Sequence, residues 1–115
     1  MWSVGCIFAE MLSGFPLFDG DSDIDQLVKM FRVRGNPTEL SWPGITKLMN
    51  NSNVGGVDMM QNTGMNLEEV LGRSGVPTTA YDLLERMLSL NPKRRITALQ
   101  ALKHPYFAGE EELLN

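Results

Sequence analysis

The chain has 115 residues, of which 43% are apolar and 21% are charged. That length suits one compact domain with a buried core, so intrinsic disorder is not expected. Fourteen acidic and ten basic side chains give a formal net charge of -4. Because proteins that bind nucleic acid normally present a basic face, this balance argues against a nucleic-acid partner. The chain has one cysteine, Cys6, which excludes an intrachain disulfide and a secreted disulfide scaffold.

The first eighteen residues are mostly apolar and could be mistaken for a targeting or membrane segment. Glu10 stands in the middle of this stretch, and an acidic side chain at a bilayer centre costs roughly 2.5–3.5 kcal/mol. No Lys or Arg occurs before Lys29, so the cationic start of a signal peptide is missing. Residues 2–12 are apolar nearly all the way round a helix, which predicts a core helix surrounded by protein rather than a membrane segment.

A turn at residues 19–22 leads into a second predicted helix. Ser22 has the residue type of an N-cap, and Asp25 stands three residues later, as in a weak capping box. One apolar face repeats at helical spacing and consists of Ile24, Leu27, Val28 and Phe31. Gly35 is expected to adopt the left-handed cap conformation, and Pro37 prevents the helix from continuing.

Residues 36–78 differ in character, because glycines and a cluster of asparagines interrupt the pattern. Within this stretch only residues 67–71 are predicted to be helical. So long an irregular segment is either a functional insert or partly disordered.

Regular structure is predicted to resume at Thr79. The apolar face of this helix consists of Tyr81, Leu84, Met87 and Leu88. Thr97 and Gln100 form a capping box for a further short helix, which His104-Pro105 ends, and residues 110–115 form an acidic tail. Because no segment alternates convincingly at period two, the predicted fold class is all-α.

The residues that could carry chemistry favour structural roles. Acidic residues at alternate positions from Asp19 suggest a calcium loop, but the sixth and twelfth places hold Ile24 and Met30 instead of Gly and Glu. His104 has no second ligand at metal-binding spacing, so it is interpreted as a structural side chain. We therefore predict no metal site.

Two further groups are candidates for reactivity or anion binding. Cys6 lies among apolar residues in the middle of a predicted helix, where a thiol is inert. The basic cluster at residues 93–95 could bind a phosphate, but salt-bridge or capping roles are favoured on a net acidic chain. No nucleophile is paired with a base, and no glycine-rich loop could hold phosphates.

Six sequence motifs occur in order along the chain. They are Trp2-Ser3-Val4-Gly5, Cys6-Ile7-Phe8-Ala9-Glu10-Met11, Gly20-Asp21-Ser22-Asp23-Ile24-Asp25-Gln26-Leu27, Trp42-Pro43-Gly44, Asn91-Pro92-Lys93-Arg94-Arg95 and His104-Pro105-Tyr106-Phe107. Together they resemble the C-terminal end of a eukaryotic protein kinase domain, and in detail that of cyclin-dependent kinases. In that family the motifs read W-S-x-G and its continuation, G-D-S-x-x-D-Q-L, W-P-G, D-P-x-x-R and H-P-x-F.

The resemblance implies that residues 1–109 are the helical C-terminal part of the large lobe of a Ser/Thr kinase of the CMGC group. Residues 36–78 then correspond to the insert of that group. Trp2, Gly5 and Arg95 match structural motif positions of the family, and Arg95 matches the arginine that pairs with the glutamate of A-P-E. Ile7 and Met11 match the two residues that anchor the catalytic spine beneath the adenine.

The family's catalytic motifs do not occur in these 115 residues. There is no G-x-G-x-x-G, V-A-I-K, H-R-D, D-F-G or A-P-E sequence, and phosphoryl transfer depends on those parts for positioning and electrostatics. We therefore expect no catalytic residue and no ATP or magnesium binding in this chain. ATP and magnesium would belong to a full-length parent.

A function without catalysis also fits the pattern. The second helix and the insert could bind a protein partner, of the small regulatory subunit type that the resemblance suggests. The alternative to a kinase fragment is therefore a non-catalytic helical interaction module. Either reading implies an intracellular protein, in the nucleus or the cytoplasm.

Two physical expectations follow from a kinase fragment. Without the A-P-E glutamate, Arg95 is expected to pair with solvent or with another acid of this chain, and its replacement by Ala should cost less than about 1 kcal/mol. The apolar first helix should expose Trp2, Ile7 and Met11 to water or to a substitute neighbour. Such a patch favours self-association or loose packing.

Overall fold

A computed structural model describes residues 1–52 and 62–109. Within those two ranges the protein is all-α, which confirms the predicted fold class. The elements in chain order are α1 (Trp2–Ser13), α2 (Asp23–Arg34), α3 (Ile45–Asn51), α4 (Leu67–Leu71), α5 (Thr78–Met87), α6 (Ala98–Leu102) and a closing 3-10 turn (Pro105–Phe107). The predicted acidic tail at 110–115 and residues 53–61 of the predicted insert lie outside the described residues.

Helix α1 is the element on which α4 and α5 pack. Its buried residues are Gly5 and Ala9, four positions apart and therefore on one face. Gly14 ends the helix with φ 87°, in the left-handed conformation that glycine adopts without strain. No helix in the described part of the chain is long and apolar enough to cross a membrane.

Contact between α1 and α5 depends on the missing side chain of Gly5. A Cβ atom placed there would lie 2.9 Å from Leu88 Cδ2 and 2.9 Å from Met87 Cβ. Ala9, one turn later, is 0% exposed. Two small residues thus let α5 approach the α1 backbone. The buried side chains that α5 and its C-cap bring there are Leu83, Leu84 and Leu88, which are all 0% exposed.

Helix α2 begins at the predicted cap. The Ser22 hydroxyl accepts a hydrogen bond from the Asp25 amide at 3.1 Å. The carboxylate of Asp25 accepts instead from the amide of Asp21, at 2.9 Å, so the reciprocal half of the capping box is shifted one residue towards the N-terminus. Gly20 lies against Gln26, whose side chain accepts from the Gly20 amide at 2.6 Å, and this contact folds the preceding turn onto the helix.

The prediction for Gly35 was wrong in detail. Its φ of 85° is positive, but its ψ of 156° lies outside the left-handed helical region. The chain leaves α2 extended because it pairs with a later segment, in which the Met65 amide donates to the Val33 carbonyl at 2.8 Å. A Cβ atom at Gly35 would lie 3.2 Å from the backbone of Thr63, so this close approach also favours glycine.

Arg34 joins the end of α2 to the end of α5. Its Nε donates to the Leu88 carbonyl at 2.8 Å, and Nη2 donates to the Glu85 carbonyl at 3.2 Å. Nη1 pairs with the Glu85 carboxylate at 3.2 Å. The Arg34 side chain is 13% exposed, and it satisfies the carbonyls of Glu85 in α5 and of Leu88 directly after it.

The predicted insert contains one helix that the sequence analysis missed. Helix α3 follows Gly44, which has φ 90° and no side chain to cap the helix. The carboxylate of Glu39 performs that role by accepting from the amides of Gly44 at 2.8 Å and Thr46 at 3.0 Å. These bonds hold the pKa of Glu39 below its ordinary value. The sequence signals that predict a helix start lie next to its first turn. They therefore do not include a cap residue that stands several positions upstream, such as Glu39.

The other short elements agree with the sequence. Helix α4 occupies the predicted span, capped by Asn66, and α5 begins at Thr78, one residue before the predicted start. The capping box of α6 is complete, because Gln100 N donates to Thr97 at 3.1 Å and Thr97 N donates to Gln100 at 2.9 Å. Helix α6 ends at Leu102 with Lys103 as its C-cap, and His104 caps the 3-10 turn.

Gly5→Ala is expected to destabilise the protein by up to about 2 kcal/mol. Overpacking costs about 1–3 kcal/mol, and the better helix propensity of Ala returns about 1 kcal/mol of it. The Met87 Cβ atom cannot move without its backbone, so the clash is not relieved by a rotamer change. Urea unfolding followed by far-UV dichroism measures the difference. Ser3→Ala, on the exposed side of the same helix, is the control, and equal stability of both variants would contradict the close packing.

Candidate functional site

Trp2, at the start of α1, lies between an aromatic ring and a guanidinium group. Its ring stacks on Phe18 with centroids 5.5 Å apart and an interplanar angle of 10°. The Arg95 guanidinium carbon lies 5.4 Å from the centroid of the Trp2 ring. A cation over an indole face is attracted by the ring quadrupole. The structure therefore brings together two of the three motif residues named from the sequence.

Backbone carbonyls hold Arg95 in this position. Its Nε donates to the Ser89 carbonyl at 3.0 Å, and Nη2 donates to the Leu90 carbonyl at 3.2 Å. Within residues 1–52 and 62–109, Arg95 forms no ion pair. Of the two partners expected for Arg95, an acid is not found among the described residues, because the carbonyls that follow α5 accept its hydrogen bonds, whereas pairing with solvent stays a prediction.

An apolar groove begins beside Trp2 and Arg95, and we call it the insert groove. It lies between α2 and α3 and has a cavity volume of about 340 Å³. Its principal lining residues are Trp2, Leu27, Phe31, Trp42, Ile45 and Leu48. The sequence analysis placed a partner surface on the second helix and the insert, but it missed α3, which supplies one wall.

The side of α1 opposite the buried Ala9 is exposed. We call its residues Val4, Ile7 and Met11 the outer face. Their exposed fractions are 51%, 59% and 74%. The expectation that Ile7 and Met11 meet water is confirmed, whereas Trp2 has Phe18 and Arg95 as neighbours. A cavity of about 380 Å³ runs along the outer face, walled by Phe8, Met87, Tyr106 and Phe107.

His104 has the structural role predicted for it. Its Nδ1 accepts from the Tyr106 amide at 3.0 Å, so the proton of the neutral ring is on Nε2. Nε2 lies 2.6 Å from the carboxylate of Asp82 and donates to it. The ring is 7% exposed and fastens the 3-10 turn to α5.

Cys6 and the basic cluster show no catalytic arrangement. Burial raises the pKa of the Cys6 thiol, which lowers its thiolate fraction and its reactivity. In the basic cluster, Arg94 donates to the Leu40 carbonyl at 3.2 Å. Arg94 and Arg95 thus bond to backbone carbonyls of residues outside the helices. No group of three His, Cys, Asp or Glu among the described residues could hold a metal ion.

A comparison with protein-family models matches residues 1–107 to the protein kinase domain. The chain belongs to the protein kinase family. Two curated relatives refine this assignment within the kinases. The chain is similar to the fission yeast (Schizosaccharomyces pombe) serine/threonine-protein kinase ppk23, with 44% identity over 110 residues. It is similar at 45% identity over 107 residues to the probable serine/threonine-protein kinase KIN28 homolog of Encephalitozoon cuniculi.

Both matches cover 93% of this kinase chain, but only 26% and 32% of the two relatives. The chain therefore spans about a quarter to a third of the length of the curated relatives that it matches. It is a fragment of a cyclin-dependent-like Ser/Thr kinase, and its all-helical fold is consistent with the helical lobe that the resemblance implies.

Arg95→Ala is expected to destabilise this kinase fragment by about 2–3 kcal/mol, rather than the 1 kcal/mol or less expected of an exposed pair. The substitution removes two charged hydrogen bonds and the contact with Trp2, and it leaves two carbonyls without a donor. Urea unfolding followed by tryptophan fluorescence measures the loss. Arg94→Ala, which removes one exposed hydrogen bond, is the control and should cost less than about 1 kcal/mol. Equal losses for the two variants would show that Arg95 is a surface charge.

Asp82 should make the stability of the fragment sensitive to acid. Hydrogen bonds from His104 and Arg86 hold the pKa of Asp82 below its usual value. Its stabilising contribution is therefore fully present above the unfolded pKa of about 3.9, and it is lost as the pH falls through the lower folded pKa. Thermal unfolding between about pH 6 and pH 2.5 should show a shallower acid decline for Asp82→Asn. Asp23→Asn, at an exposed site, should keep the wild-type slope, and parallel curves for all three proteins would contradict the prediction.

Proposed function

We propose that this chain is the C-terminal helical part of the large lobe of a cyclin-dependent-type Ser/Thr kinase of the CMGC group. In this proposal, ATP-dependent phosphorylation of proteins belongs to a longer parent and serves cell-cycle or transcription control. The exposed outer face of α1 is the observation that carries the proposal. An apolar helix of this kind needs protein on every side, and the described residues cover only the side of Gly5 and Ala9.

The state of Arg95 supports the same proposal. Two of its nitrogens donate to carbonyls, and Nη1 makes no hydrogen bond to a described residue. The guanidinium of Arg95 is thus held beside the Trp2 ring, with Nη1 available to donate a further hydrogen bond. In a longer parent, the glutamate of an A-P-E sequence would accept a hydrogen bond from Nη1 of Arg95.

In the proposed parent, this segment contributes support rather than chemistry. Ile7 and Met11 would lie beneath the adenine site and hold the residues that touch the nucleotide. The described residues offer neither a phosphate loop nor a carboxylate cluster for magnesium, so we assign no step through ATP or magnesium to this chain. Its contribution is a rigid base, since phosphoryl transfer depends on accurate positioning of the groups above it.

An interaction module remains the second candidate, and the insert groove favours it. The groove is apolar and open, and it lies on α2 and α3, where the sequence placed a partner of the small regulatory subunit type. In either case the protein would act in the nucleus or the cytoplasm.

A chimeric kinase tests the proposal. Residues 1–107 replace the matched segment of the fission yeast relative, and the purified chimera is assayed with Mg-ATP and a Ser/Thr peptide. The chimera is expected to phosphorylate the peptide, and the 115-residue chain alone is expected to transfer no phosphate. Ile7→Asp with Met11→Asp should abolish the activity of the chimera, whereas Leu40→Asp, at a position that is 87% exposed, should preserve it.

Three results of this assay would contradict the proposal. One is a folded chimera without activity, and another is phosphoryl transfer by the chain alone. The third is full activity of the Ile7→Asp and Met11→Asp chimera, since a charge beneath the adenine site should not be tolerated. Far-UV dichroism on each chimera separates loss of function from loss of folding.

A further inference from the structure

Asn91, in the loop between α5 and α6, stands where the kinase motif D-P-x-x-R has its aspartate. Its side chain is buried, at 8% exposure. Oδ1 accepts from the Lys93 amide at 3.0 Å, and Nδ2 donates to the Ser41 carbonyl at 3.2 Å. A backbone amide can only donate and a carbonyl can only accept, so these partners fix which end of the side-chain amide is the oxygen. An aspartate could form the first bond but not the second.

Ser41 ends a compact turn, which we call the 38–41 turn. The Thr38 amide donates to Ser41 Oγ at 2.9 Å, and the Ser41 amide donates to Thr38 Oγ1 at 3.1 Å. The Thr38 carbonyl accepts from the Trp42 amide at 2.7 Å. Because the two ends of the turn are bonded to each other, a displacement of Ser41 is passed on to the residues within the turn.

The 38–41 turn carries Glu39, whose carboxylate caps α3 through the amides of Gly44 at 2.8 Å and Thr46 at 3.0 Å. Little packing holds α3 elsewhere, since Ile45 is its buried residue and Leu48 is 51% exposed. A helix of seven residues is too short to be stable without such support. The position of α3 therefore depends on a cap that lies outside the helix.

We propose that Asn91 is a positioning residue for α3 and that it acts through the 38–41 turn and Glu39. Its donor fastens the turn to the α5–α6 loop, which sets the place of the Glu39 carboxylate and thus the place where α3 begins. Since α3 supplies one wall of the insert groove, this wall is linked to the α5–α6 loop. The inference concerns contacts between residues 38–51 and 91–94, and it does not depend on kinase activity.

A second bond joins the same two segments, but it is more accessible to water. Nη2 of Arg94 donates to the Leu40 carbonyl at 3.2 Å, and both of these residues are exposed, so water can replace either partner. Asn91 is buried, and a carboxylate in its place would meet the Ser41 carbonyl with no proton between two acceptors. Asn91 is therefore the contact that determines whether the turn is docked.

Solvent exchange of single amides, measured by NMR on the 115-residue chain, tests the proposal. Asn91→Asp should speed exchange of the Gly44 and Thr46 amides at least about threefold, because the Glu39 carboxylate is no longer held beside them. The Lys93 amide should keep its protection, since a carboxylate still accepts from it. The amides of α5 should also keep theirs, which separates undocking of the turn from general unfolding.

Asn66→Asp is the matched control, because it makes the same chemical change at another cap. The Asn66 side chain only accepts, from the Glu68 amide at 2.8 Å, and a carboxylate can do the same. This variant should leave the exchange of Gly44 and Thr46 unchanged.

A double variant tests whether Asn91 and Glu39 act in series. Glu39→Ala alone should speed exchange of the two α3 amides, because it removes their acceptor. Adding Asn91→Asp to Glu39→Ala should then change these two amides little further, since the contact through which Asn91 acts is already lost.

Four outcomes would overturn the proposal. They are unchanged α3 amides in Asn91→Asp, the same effect in Asn66→Asp, equal acceleration throughout α5, and additive effects in the double variant. Asn91→Ser keeps the test decisive if Asn91→Asp fails to fold. It introduces no charge, and its hydroxyl is too short to reach the Ser41 carbonyl, so it should speed the α3 amides in the same way, and wild-type exchange in this variant would also overturn the proposal.

Discussion

The close approach of α1 to α5 is the constraint on which the rest of the structure depends. It exists because Gly5 has no side chain to separate the helices, and because Ala9 adds only a methyl group one turn later. Leu88, directly after α5, then lies close to the α1 backbone at Gly5. Arg34 binds the carbonyls at the end of α5, and Arg95 binds those that follow it. The position of α5 thus fixes the end of α2 and the environment of Trp2 together.

This arrangement gives α1 two sides with different consequences. The side of Gly5 and Ala9 is closed by helices of the same chain, whereas the side of Ile7 and Met11 is open. Helix α1 therefore forms its backbone hydrogen bonds and packs on α5 while it still presents an apolar surface on the open side. In the proposed kinase parent that surface would receive the remainder of the lobe.

The sequence predicted those features that depend on neighbouring residues. The cap at Ser22, the capping box of Thr97 and Gln100, the short helix α4 and the structural role of His104 all follow from signals within a few positions. The apolar circumference of α1 predicted a helix that needs protein around it, and the family resemblance indicated that Ile7 and Met11 would be exposed. The family motifs supplied the assignment that these local signals alone could not give.

Features that depend on distant residues were missed or placed wrongly. Helix α3 is capped by Glu39 from outside the helix, and Gly35 is extended because a segment near Thr63 pairs with it. Arg95 binds carbonyls that become acceptors only where α5 ends, so no pattern of charges could have identified its partners. The stacking of Phe18 on Trp2 likewise joins two positions that no helical period relates.

The hydrogen bond between Arg34 and Leu88 joins residues that are 54 positions apart in the chain, and the irregular insert forms most of the loop that it closes. The entropy of closing such a loop grows only logarithmically, so doubling its length costs about 0.6 kcal/mol. Insertions and deletions between α3 and α4 are therefore cheap in free energy as long as both anchor points survive. Within the insert, the chain between α3 and α4 is thus the part whose length can change at little cost in loop entropy, whereas Leu67 and Leu71 of α4, each 2% exposed, belong to the core.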